Sequence, residues 1–169
     1  MAFDPAWSAW RARATDPAGQ SSGLTSQEMI RPMPPTTTLD RYTPYALAAL
    51  RIVAALIFME HGTQKLFGFP APPANGQPPI LSLLGIGAIM ELVGGLLILV
   101  GAFTRPVAFL LAGEMAVAYW MFHAPRSFYP VLNGGDAAIL YCFVFLLLVF
   151  TGPGAWSVDG SRNRADRSF

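Results

Sequence analysis

The chain has 169 residues, 53% of them apolar and 12% charged, whereas about a quarter of the residues of a soluble domain are charged; the solvent it is built for is a bilayer. Its formal net charge of +1 gives no footprint for nucleic acid, and no such partner is expected. A single cysteine, Cys142, excludes an intramolecular disulfide, a CxxC redox pair and a cysteine-based metal site, so any redox chemistry must come from a cofactor or a partner.

Residues 1–42 read as a polar, Pro- and Thr-rich cytoplasmic tail. The run Arg31-Pro32-Met33-Pro34-Pro35-Thr36-Thr37-Thr38 has no apolar periodicity, which points to disorder through most of its length. No basic stretch followed by a short apolar run occurs there, so no signal peptide is expected. Trp7 and Trp10, followed by Arg11 and Arg13, suit an interfacial turn at the headgroups as well as they suit incidental aromatics in a loose tail.

Four apolar segments follow, at about 45–66, 80–101, 106–123 and 136–151. A span needs about 20 residues to cross hydrocarbon about 30 Å thick, so the expected fold is all-α, a bundle of four transmembrane helices over residues 43–156. Asp40, Thr43 and Pro44 suit the first helix start. Turn formers at 68–79 separate the first two spans, and Thr104-Arg105-Pro106 turns tightly into the third. The fourth opens on Asn133-Gly134-Gly135-Asp136 and stops at Gly152-Pro153-Gly154; being short, it calls for an earlier start or local thinning of the bilayer. Residues 157–169 are expected as a short cytoplasmic tail. Arg41, Arg105 and Arg162 beside the spans outnumber Lys65 and Arg126 on the other side, which places both termini in the cytoplasm. Tyr42, Tyr45 and Trp156 then form an aromatic belt on that side.

Ionisable residues inside spans cost at least ~2.5–3.5 kcal/mol and suggest a function and a partner. With a rise of 1.5 Å per residue, Arg51 and Glu114 lie about 10 Å in from the cytoplasmic side and Glu91 about 15 Å, so the three converge on one polar layer. One guanidinium pairs with one carboxylate and leaves the other uncompensated. That layer is either interhelical glue that pins register or a proton-carrying or ligand-binding site. A second layer gathers at the outer ends: Glu60, His61, Gln64 and Lys65 close span one, His123 closes span three, and Asn133 and Asp136 open span four. A satisfied polar rim is the plainest reading of that layer; among ligands, a quinone head group held by a histidine and a carboxylate or tyrosine is favoured over axial ligation of haem by His61 and His123. Gly87, Gly94 and Gly95 share a face of span two with Glu91, which points to close helix packing. No metal site and no catalytic residue is assigned.

The string Glu60-His61-Gly62-Thr63-Gln64-Lys65-Leu66-Phe67-Gly68 after Arg51 resembles the first helix and exit loop of the DoxX family. The resemblance continues through Glu91-Leu92-Val93-Gly94-Gly95, Gly101-Ala102-Phe103-Thr104-Arg105, His123-Ala124-Pro125, Asn133-Gly134-Gly135-Asp136 and Gly152-Pro153-Gly154-Ala155-Trp156-Ser157-Val158-Asp159. Each motif is weak alone, and their order and spacing make the match. It implies a four-helix bacterial inner-membrane protein. It also implies a loose association with membrane oxidoreductases, including a thiosulfate:quinone oxidoreductase and systems of thiol and redox homeostasis. Asp136 stands where the family often has Glu.

Three functions are expected to compete. The first is a subunit or accessory of an oxidoreductase passing electrons from a sulfur compound or thiol to quinone; as a lone enzyme the chain lacks the necessary redox groups. The second is a non-catalytic subunit docked onto a larger respiratory or photosynthetic membrane complex through its tail. The third is a small-solute or proton-coupled carrier, against which stands the lack of an inverted repeat.

Overall fold

The computed structural model describes residues 39–165. The tail expected at 1–42, with Trp7 and Trp10, lies outside the described residues up to position 38. The described residues form helices and connecting turns. These are α1 (Thr43–Phe67), α2 (Leu83–Val100), α3 (Thr104–Ala118), a single turn α4 (Pro130–Asn133), α5 (Asp136–Thr151) and α6 (Val158–Ala165). A 3-10 turn, Asp40–Tyr42, leads into α1, and α3 is prolonged by a wider π turn, Tyr119–His123. The protein is an all-α membrane protein. Its first three long helices are apolar and long enough to cross a bilayer, and α5 is a shorter apolar helix of 16 residues.

The distribution of side-chain sizes is that of a bundle in lipid. Ala48, Ala54, Ala55, Ala88, Ala108, Ala112 and Ala138 are buried, while Val53, Leu56, Ile57, Ile86, Ile89, Val93 and Leu96 face outward. Large aliphatic groups gain nothing by leaving hydrocarbon, so close contact between helices comes from small residues. Gly62 is where this matters most. A Cβ there would lie 2.9 Å from both the Ala88 carbonyl oxygen and the Leu92 nitrogen, so α1 and α2 meet backbone to backbone. α3 packs chiefly on α5, and α2 joins the two pairs. Between α1 and α5 the gap is filled by rings: Phe58 lies 4.9 Å from Phe145 and 5.1 Å from Tyr141, centroid to centroid.

Helix ends explain the boundaries. The second helix begins at Leu83, not near 80, because the Ser82 hydroxyl accepts the Gly85 N–H at 3.1 Å and caps it. It ends at Gly101, whose φ of 68° is the left-handed cap that glycine adopts at low cost. The third starts at Thr104, where the Asp159 carboxylate accepts the N–H groups of Phe103 and Thr104 at 2.9 and 2.8 Å. The segment from 157 onward, expected as a short tail, thus opens with a helix that caps α3 from afar. Burial works against the Asp159 carboxylate, but the hydrogen bonds from Thr104 and Phe103 and the charge of Arg162 outweigh it and hold its pKa below the usual carboxylate range.

A depressed pKa contributes stability that is present above the usual carboxylate range and lost as pH falls through the lowered value. Asp159→Ala is therefore expected to cost about 1 kcal/mol, as lost caps do, at neutral pH. Unfolding midpoints of the two proteins in detergent, followed downward in pH, should converge once the native carboxylate is protonated.

Candidate functional site

Arg51 does not join Glu91 and Glu114, which corrects the single polar layer expected of the three. Its side chain is fully buried and donates only to backbone carbonyls. Nη1 reaches the oxygens of Ile98 and Leu99 at 2.6 Å each. Nε reaches Pro153 at 2.9 Å, and Nη2 reaches Trp156 at 2.9 Å and Ala155 at 3.5 Å. The cause is the length of the side chain and what lies at its reach: the last turn of α2 presents carbonyls beyond the regular helical ladder, Ile98 with only the cap N–H of Gly101 at 3.0 Å, at the negative end of the helix dipole. Asp159 is the anion whose charge acts on it. Depth counted at the Cα placed Arg51 among carboxylates, whereas its guanidinium serves the helix end about seven residues, or about 10 Å, away from Glu91.

Glu91 finds its cation from the opposite side. Lys65, expected at the outer rim, bends inward, and its Nζ meets Glu91 Oε1 at 2.5 Å. The Glu91 side chain is 5% exposed and that of Lys65 28%, so the ammonium keeps a route to solvent while the carboxylate does not. Glu91 Oε2 has no hydrogen-bond partner, and neither has Glu114 Oε2. Glu114 projects from α3 towards Gly87 of α2, where an added Cβ would lie 3.1 Å from its Oε1. Glu91 and Lys65 both act electrostatically on Glu114, and His61 acts on Glu91. Tyr141 of α5 faces Glu60 and Glu91 electrostatically, and its ring meets the edge of His61 at 6.1 Å. The site is thus a cluster of Lys65, Glu91 and Glu114 with His61 and Tyr141 at its margin, where two buried acceptor oxygens point into an apolar bundle. Such groups are rare in native structures, and each calls for an explanation, a bound water or ion or a role in chemistry among them.

The other expected site residues separate. His61 meets Tyr141, whereas His123 lies over Tyr119, centroids 6.5 Å apart, and its Nδ1 is 3.1 Å from the Asn133 carbonyl oxygen. Among the described residues no ring contact or hydrogen bond joins the two histidines. Asn133 is buried and serves its own turn: Nδ2 donates to the Ser127 carbonyl at 2.8 Å and Oδ1 accepts from Gly135 N–H at 2.7 Å. Asp136 is exposed in the first turn of α5, where its charge suits the helix N-terminus, and Glu60 is exposed beside His61. The glycine stripe serves two neighbours. A Cβ on Gly94 would strike Leu111 of α3, and one on Gly95 would strike Met59 of α1. Tyr45 and Trp156, expected in one belt, meet edge to face at 5.3 Å.

The DoxX family profile matches residues 46–124, which carry α1 to α3 and with them Lys65, Glu91 and Glu114. An uncharacterised protein of Haemophilus influenzae is 42% identical over 125 residues, 72% of this chain and 93% of its own length. The Escherichia coli inner membrane protein YphA is 33% identical, covering 69% of this chain and 89% of its own. The inner membrane protein YqjF of the same organism is 31% identical, covering 68% and 89%. No solved structure matches the chain. With the profile matched across the helices that hold the carboxylate cluster and these relatives similar over most of their own length, the chain belongs to the DoxX family.

Proposed function

We propose that this protein is the inner-membrane subunit of an oxidoreductase that passes electrons from a sulfur compound or thiol system to quinone, and that the Lys65–Glu91–Glu114 cluster manages the protons of that reaction. The observation that carries the reading is the pair of carboxylate oxygens, Glu91 Oε2 and Glu114 Oε2, buried without partners inside a membrane bundle. Carboxylates kept at that depth are costly and typically serve proton or ligand chemistry. Reduction of a quinone takes up two electrons and two protons. The electrons enter from a partner, because the chain offers one cysteine and no other redox group of its own. Protons pass through Glu91 and Glu114, with Lys65 holding Glu91 in place and His61 and Tyr141 forming the margin against which the head group rests. Both termini lie in the cytoplasm, by the count of Arg and Lys beside the spans.

The test begins with gentle-detergent purification of the tagged protein from its own membranes, with co-eluting proteins identified by mass spectrometry. Quinone-dependent turnover of the recovered complex is expected to fall about 10²-fold in Glu114→Gln, the scale of a lost acid–base group, and also to fall in His61→Ala. Turnover that survives both substitutions would remove the quinone site from this chain. Recovery within a large respiratory or photosynthetic complex, with turnover unchanged in either variant, would assign a docking role instead.

A further inference from the structure

The carboxylate cluster has different surroundings on its two sides along the bundle. Towards one end stand Lys65, whose side chain is 28% exposed, and the exposed Glu60 and His61 of the same helix. From the other helices, Glu114 of α3 and Tyr141 of α5 are the titratable groups that face Glu91 or its partners. Towards the other end the next layer is apolar and closed: Phe58, Ile98, Leu111, Phe145 and Leu148 are each at most 1% exposed. Beyond it Arg51, 0% exposed, fastens α2 to the loop after α5 through the five carbonyls already described. Two open basins, one lined by Asp40, Arg105 and Pro153 and the other by Ala155, Trp156 and Arg162, bring solvent to that end as far as the loop that Arg51 binds, yet neither is lined by any residue of the apolar layer. A dry layer topped by a fully satisfied guanidinium offers water no chain of partners to follow.

From this we infer that the Glu91–Glu114 cluster exchanges protons with one end of the bundle only, the end that carries Glu60, His61 and Lys65, and is insulated from the end that carries Arg51. The inference rests on the proposed function only in treating these carboxyl groups as proton carriers. For the redox reading it has a direct consequence: protons taken up when quinone is reduced, or released when quinol is oxidised, are drawn from or delivered to a single side of the membrane.

The experiment uses the full chain reconstituted in liposomes without quinone or partner, with orientation fixed by protease access to a tag at one terminus. The pH of the external solution is jumped with an impermeant buffer while a trapped dye reports the interior, and carboxyl protonation is followed by infrared difference spectroscopy. Bands are assigned as those lost in Glu91→Gln and in Glu114→Gln. When the Lys65 end faces outward, the bands are expected to respond at once, before the dye. When the Arg51 end faces outward, they should change only as the dye changes. Equal and immediate responses in both orientations would overturn the inference, as would bands that respond to neither solution. Because the measurement contains no quinone, one-sided exchange together with unchanged quinone turnover in Glu114→Gln would sink the redox reading and leave this one standing.

Discussion

Replacing Arg51 by Met is expected to destabilise the bundle by about 3–5 kcal/mol, the scale of removing one partner from a buried charged network. The size follows from what is left behind. The carbonyls of Ile98, Leu99, Pro153 and Trp156 lose a donor at 2.6–2.9 Å; Ile98 keeps the Gly101 N–H, whereas each buried group left without a partner costs about 1–3 kcal/mol, with some relaxation. Gly101 shows how closely the site is fitted to guanidinium, since a Cβ there would lie 2.9 Å from Nη1. Arg51→Lys should recover only part of the loss, because an ammonium is a point charge and cannot span the planar fork between a helix end and a loop. Unfolding of detergent-solubilised protein gives the energies. Proteolysis within 152–157 gives the location, and should speed up in Arg51→Met. A variant as stable as the native protein, with this loop still protected, would show that α2 and the loop are held by other contacts.

The bundle was legible from the sequence wherever a physical rule acts locally. Apolar length fixed the four helices, and Gly101 and the Asn133-Gly134-Gly135-Asp136 turn marked ends that the structure keeps. What escaped were interactions made by long side chains with backbone. Arg51 was matched to carboxylates because letters show carboxylates, whereas the backbone carbonyls at the end of α2 belong to no letter. Lys65 was placed at the rim by its position at the end of a span, yet its four-carbon stem lets the ammonium turn back to Glu91. Asp159 lay in a segment read as a tail, and nothing short of the fold could bring it to the start of α3, 55 positions away. Gly62 stood within the string that resembles the family, and its spacing to Ala55 and Phe58, buried on the same helix, was the one signal by which the close approach of α1 and α2 could have been found.

The Lys65–Glu91 pair offers the means to separate what holds the bundle from what works in it. Lys65→Met should cost about 3–5 kcal/mol, since it strands a carboxylate with both oxygens buried. Glu91→Gln should cost less, because Lys65 is partly exposed and its ammonium can swing out to water on its stem. The double variant Lys65→Met with Glu91→Leu replaces the ion pair by packed apolar groups of similar size. Buried pairs replaced in this way often leave stability unchanged or higher by about 1–4 kcal/mol. The expected result is therefore a double variant close to the native protein in its unfolding midpoint, with a coupling energy well beyond the 0.3–0.5 kcal/mol within which independent sites add. If the pair existed only to pin α1 to α2, quinone-dependent turnover would return with stability. The proposed function requires that it does not: the double variant should fold, assemble with its partner and remain inactive, because Glu91 Oε2 is gone from the cluster while Gly62 still holds the two helices together. Recovery of turnover alongside stability would reduce the pair to packing and leave Glu114 as the sole carboxylate candidate for the chemistry.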